Sequence, residues 1–98
     1  MTHKLVHVCA WRVKYLFSLS EPLDGAAWRA LADFWGNSCL ESTILSTGAV
    51  LYKLSLPDKK GMLMGSSVSP DIYAILLRSE AQALLPDVIE ALERVACL

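Results

Sequence analysis

The stretch SPDIYAILLRSEAQALLPDVIEALERV, residues 69–95, decides the fold. It reads in two ways. As one helix, Ser69 is the N-cap and Pro70 the first helical residue, a well-formed start. That reading leaves Pro86 deep in the helix, where a missing N–H and a ring clash cost about 3 kcal/mol. As a strand and a helix, Ser69-Pro70-Asp71 is a turn and IYAILLR (72–78) is a strand, apolar on both faces and so buried on both. Ser79-Glu80-Ala81-Gln82 then has the S-x-x-Q spacing of a capping box that opens a second helix. Leu85, Val88, Ile89, Leu92 and Val95 line one face of that helix, and Pro86 falls near its start. The second reading satisfies more of the local chemistry and is adopted.

The segments before it sort the same way. From Leu5 to Leu19 the odd positions are Leu5, His7, Cys9, Trp11, Val13, Tyr15, Phe17 and Leu19, while Arg12, Lys14 and Ser18 lie between them. This period of two predicts a strand, long enough to need a bend or a bulge. Ser20, Pro22 and Asp24 are helix-start residues, and Leu23, Ala27, Trp28, Leu31, Phe34 and Trp35 recur at helical spacing. A helix is predicted over 22–35, stopped by Gly36 and Asn37 in the left-handed region. Strands follow on either side of a Thr47-Gly48 turn, with Val50, Tyr52, Leu54 and Leu56 on one face. Pro57 to Gly61 is a hairpin loop, with Gly61 expected to supply the positive φ. A short strand occupies 62–65.

The predicted order is β-α-β-β-β-β-α in a single domain, residues 1–98. It implies an α+β two-layer sandwich: an antiparallel sheet with two helices on one face. In order and layering the chain is similar to ferredoxin-like domains, including the small trimeric CutA and PII signalling proteins. That resemblance is topological and brings no family motif, so it implies no site residue.

Composition bounds the function. Of the 98 residues, 54% are hydrophobic and 19% charged. A domain of this size must then expose apolar surface or bury it against a partner. The net charge of −1 gives no general attraction for nucleic acid or anionic lipid. The first twenty residues carry Lys4, Arg12 and Lys14 and no acid, whereas residues 79–98 carry Glu80, Asp87, Glu90 and Glu93 against Arg94. These are read as solvated faces of opposite sign; the alternative is that the two segments lie close in the fold or meet across a dimer. No run is long enough for a membrane span, and no signal peptide is expected. Three widely spaced cysteines, Cys9, Cys39 and Cys97, make no disulfide framework. Free, mostly buried thiols in a reducing cytoplasm are expected.

Candidate chemistry is sparse. His3, His7 and Cys9 would share one face of a strand, but their spacing is no metal signature and no fourth ligand is evident. They are read as ordinary sheet residues, and no metal or other cofactor is expected. Gly65, Ser66 and Ser67 form a Gly-Ser loop of the kind that cradles phosphate when its amides converge, yet it lacks a Walker lysine. With both histidines in the first seven residues, a Ser or Cys triad has poor material, so the chain is read as no enzyme. Arg12 and Lys14 have no aromatic at the even positions beside them, which argues against single-stranded nucleic acid. Trp11, Trp28 and Trp35, with Arg29, are the candidate interface anchors, because Trp and Arg dominate binding hot spots. The expectation is a non-catalytic interaction domain whose partner is another protein or a second copy. The alternative is a small-ligand-binding regulatory domain with its ligand at a subunit interface near 57–69.

Overall fold

A computed structural model describes residues 1–96. The elements are β1 (Thr2–Val8), β2 (Arg12–Ser18), α1 (Gly25–Phe34), β3 (Cys39–Ile44), β4 (Val50–Ser55), β5 (Gly61–Ser66), β6 (Ser69–Leu77) and α2 (Ala81–Ala96). All strands join one antiparallel sheet in the order β1-β2-β6-β5-β4-β3. The two-layer α+β sandwich is as expected.

Residues 69–95 divide as predicted. Ile72 to Leu77 pair with β2 on one side, and Tyr73 to Leu76 pair with β5 on the other. The Ser69-Pro70-Asp71 segment belongs to the strand and not to a turn. Pro70 is tolerated at the strand start because its only hydrogen-bonding backbone group, the carbonyl, accepts from Leu19 N–H at 3.0 Å. Glu80, not Ser79, opens α2: its carbonyl accepts from the N–H groups of Ala83 and Leu84. Pro86 lies inside the helix, in its second turn.

The first segment departs from expectation. It is a hairpin of two strands and not one bent strand, so the order is β-β-α-β-β-β-β-α. Its turn, Cys9-Ala10-Trp11, contains no Gly, Pro, Asn or Asp, and the alternation runs on either side of it. A bulge in β1 shifts the register between Leu5↔Tyr15 and His7↔Lys14. Strands β3 to β6 run as an unbroken meander, whereas the ferredoxin-like order places a helix between its third and fourth strands. The likeness to that fold therefore extends to the layering and not to the connectivity.

Loop chemistry also differs from expectation at two glycines. Between β4 and β5, Asp58 and Lys59 take the positive φ values, 59° and 56°, closed by Lys60 N–H to Pro57 O at 3.3 Å. This is the mirror-image turn that suits a twisted hairpin. Gly61 is needed for space instead: a Cβ there would stand 2.7 Å from the Ile75 carbonyl oxygen. At the end of α1, Gly36 is not left-handed. The helix stops where Trp35 turns extended and the Ser38 hydroxyl donates to the Ala32 carbonyl at 2.6 Å. At its start the Asp24 carboxylate accepts from Ala27 N–H at 2.8 Å, a normal N-cap.

The core lies between the helices and one face of the sheet. Phe17, Leu54, Leu63, Ala74 and Leu76 from the strands meet Trp28 and Leu31 of α1 and Val88 and Leu92 of α2. Fully burying each large apolar side chain contributes about 1.5–3 kcal/mol. Trp28 stacks on Tyr52 of β4 with centroids 5.3 Å apart. The helices do not reach β1, all of whose residues are exposed.

Candidate interaction face

The register places the remaining side chains on the opposite face of the sheet. One row crosses all six strands: Lys4, Leu16, Tyr73, Met64, Lys53 and Glu41. The next row reads His7, Lys14, Ile75, Met62, Ser55 and Cys39. No described element packs over these rows. Strand β6 was expected to be buried on both faces. Instead Ile72, Ala74 and Leu76 are buried, while Tyr73 is 37% exposed and Ile75 and Leu77 are half-buried. The cause is that both helices lie on one side.

The centre of this face is apolar and its flanks are charged. Leu16, Tyr73, Met64, Ile75 and Met62 form the centre. Lys14 reaches over the Tyr73 ring, its ammonium 4.3 Å from the centroid, a cation–π contact between diagonal neighbours. The aromatic missing from the even positions of Lys14's own strand is thus supplied by β6. On the β3 to β6 side a groove of about 450 Å³ is lined by Leu51, Met64 and Tyr73, with Glu41, Lys53 and Asp71 among its polar groups. A smaller hollow, about 280 Å³, lies where residues 19–24 meet the end of α2; its Asp24 is already used as the cap of α1.

The tryptophans separate. Trp28 is fully buried, and its Nε1 has no hydrogen-bond partner among the described residues. Trp35 is half-buried, edge-on to Phe34. Trp11 is 79% exposed at the tip of the first hairpin, and its carbonyl accepts from Arg78 N–H at 2.8 Å. Arg29 is exposed on α1. The four residues therefore do not form one surface.

The Gly-Ser loop is a hairpin turn whose polar groups are engaged locally. Val50 N–H donates to Ser67 Oγ at 2.9 Å, and Ser67 N–H donates to Val50 O at 2.9 Å. Ser66 Oγ accepts from Val68 N–H at 3.4 Å. Gly65 is accounted for by packing, since a Cβ there would meet the Trp28 ring at 2.8 Å. The bulge in β1 separates the histidines: His3 lies opposite Phe17, on the helix side, and His7 opposite Lys14, on the outer side. They cannot converge on one ion. No group of three His, Cys, Asp or Glu able to hold a metal occurs among the described residues.

The thiols are not buried as expected. Cys9 and Cys39 are both free and exposed, one at a hairpin end and one at the start of an edge strand. Cys97 lies outside the described residues. The Cys9 thiol is held below its usual range, chiefly by backbone hydrogen bonding from Trp11 and then Arg12, with the charges of Arg12 and Arg78 adding to it. Among the described residues the basic N-terminal segment makes no ion pair with the acids of residues 79–96; Glu80 pairs with Lys60 at 3.9 Å and Glu90 with Arg94 at 2.7 Å. Both pairs are exposed and contribute little.

Sequence reasoning did not single out Tyr73, Met64, Met62 or Leu51. The available signal was a strand apolar on both faces in a fold whose two predicted helices were both expected on one face of the sheet. No helix among the described residues is long and apolar enough to cross a membrane. Comparison with protein-family models, curated proteins and solved structures finds no significant match.

Proposed function

We propose that the chain is a non-catalytic protein-interaction domain, an accessory, adaptor or inhibitor, that binds through the uncovered face of its sheet. One observation carries this reading: Leu16, Tyr73, Met64, Met62 and Ile75 form a contiguous apolar strip that no described element covers. Single exposed apolar residues are ordinary, but a contiguous patch marks a binding surface. The composition suits such a surface. Tyr supplies rigid contact area at low entropy cost, and Met adapts to irregular partners. Exposed Trp11, with Arg12 and Arg78 nearby, offers a second anchor at one end. A cytoplasmic setting suits the two exposed free thiols.

The test is site-specific photo-crosslinking in cells. A photoreactive phenylalanine at position 73 is expected to give a discrete adduct with a protein, and one at exposed position 93 on α2 is not. Equal labelling from both positions, or none from 73, would contradict the reading. A second reading, small-ligand binding, draws on the volume of the groove, which falls in the range of ligand pockets. Its mark would be a rise of several degrees in Tm with one compound from a panel of nucleotides, amino acids and metals.

A further inference from the structure

We infer that the partner of this face is a second copy of the same chain, packed face to face about a two-fold axis that runs parallel to the strands between β5 and β6. This rests on the interaction reading and adds its occupant. The charges along the central row distinguish two arrangements that both stack this row on itself. Lys4 and Glu41 stand at its two ends, on the edge strands β1 and β3. Among the described residues neither takes part in an ion pair.

A face-to-face dimer with closed symmetry has its axis in the plane between the sheets. If the axis runs across the strands along the central row, each residue of that row meets itself. Lys4, Lys53 and Glu41 would all face like charges, which opposes association. If the axis runs along the strands, the row is reversed onto itself. Lys4 then meets the partner's Glu41, and Tyr73 meets the partner's Met64. In the next row Ile75 meets the partner's Met62, and Lys14 meets the partner's Ser55. Glu41 gains a cation on either side, its own cross-strand Lys53 and the partner's Lys4. Tyr73, Met64, Ile75 and Met62, the four residues nearest the axis, all meet apolar ones.

Two further observations bear on the choice of this face over the β1 edge. The bulge in β1 breaks the row of hydrogen-bonding groups on that edge, a device that opposes edge-to-edge pairing. The area lies at the small end of the range for stable interfaces. Six strands about 4.8 Å apart and about 20 Å long present roughly 600 Å² per copy. That approaches the ~800 Å² per partner of a standard interface. The two sheets would stack about 10 Å apart with strands roughly aligned, as in a β-sandwich.

Charge reversal tests this arrangement. Lys4→Glu and Glu41→Lys each turn two symmetric attractions into repulsions, and because like charges facing each other across an interface cost more than an exposed pair contributes, each is expected to weaken the dimer roughly tenfold or more. Mixing the two variants restores both attractions. In the mixed pair the first variant is acidic at both positions 4 and 41, the second is basic at both, and every contact joins opposite charges. Light scattering is therefore expected to give monomers for each variant alone and a dimer for the equimolar mixture. Each variant must first show the wild-type circular dichroism, so that a mixture that stays monomeric reports on the contact and not on folding. A monomeric wild type, a dimer indifferent to both substitutions, or a mixture that stays monomeric would overturn the proposal. A monomeric wild type that still crosslinks from position 73 to a different protein would overturn the second copy alone. The absence of any adduct from position 73 would remove the interaction reading beneath it.

Discussion

Gly65 lies against the indole of Trp28 so closely that a Cβ at position 65 would stand 2.8 Å from Cζ2 and 3.3 Å from Ile72 Cγ1. Trp28 is fully buried, so the ring has nowhere to move. Gly65→Ala is therefore expected to lower stability by about 1–3 kcal/mol, the ordinary cost of overpacking. In a Trp28→Phe background the Cζ2 atom is gone, and the cost of Gly65→Ala should fall well below that figure. Urea denaturation of the four proteins measures the coupling. Additive effects would mean that the two residues are not in contact.

Trp28 also buries an indole N–H with no partner among the described residues. An unmet buried donor costs about 1–3 kcal/mol. Trp28→Phe removes that donor as well as part of the ring. Its destabilisation should fall clearly short of the ~3–5 kcal/mol expected for Trp28→Ala. Equal losses from the two substitutions would contradict the placement of this ring in the core.

Pro86 interrupts the second turn of α2 at an exposed position, where its ring leaves the Gln82 carbonyl without its helical donor. Pro86→Ala should raise stability by about 1–3 kcal/mol. Lys59→Gly should add up to about 1 kcal/mol by relieving a left-handed lysine, and Gly48→Ala at φ 90° should cost about as much. Thermal unfolding of each variant checks the sign, and a fall in Tm for Pro86→Ala would contradict this helix path.

Cys9 is an exposed thiol with its pKa lowered by backbone hydrogen bonding and by Arg12 and Arg78. A lowered pKa means that thiolate persists to lower pH, so the alkylation profile of Cys9 should lie below that of an unperturbed thiol. Arg78→Ala removes one of the positive charges and should move the profile back upward. A profile unchanged by that substitution would show that the charge is not felt.

The residues show why some of this was legible in the sequence and some was not. Ser79 and Pro86 argued for a break between strand and helix, and the break is there. Alternation located the inner faces of β2 and β4, where Val13, Phe17 and Leu54 are buried. The first hairpin was hidden because Cys9-Ala10-Trp11 turns without a turn-forming residue. Gly61 and Gly65 were read as a loop residue and a ligand cradle. Glycine carries no mark in sequence to distinguish positive φ from close approach, and at both positions close approach decides. The outer face was missed for a related reason. IYAILLR looks doubly buried, although the predicted layering, with two helices on one face, already left the other face of that strand uncovered; Tyr73 is exposed there. Trp28 drew attention by residue type, but tertiary packing assigned it to the core.

The central claim is that the outer face is the working surface and a second copy its partner. The most direct measurement is the molar mass in solution, by light scattering over a concentration series, of the wild type and of Tyr73→Asp. Tyr73 is at the centre of the face and part-exposed, so the substitution leaves the helix-side core untouched. Twice the chain mass is expected for the wild type, and the single-chain mass for a folded Tyr73→Asp. A wild type that stays monomeric, or a dimer that survives Tyr73→Asp, would contradict the claim.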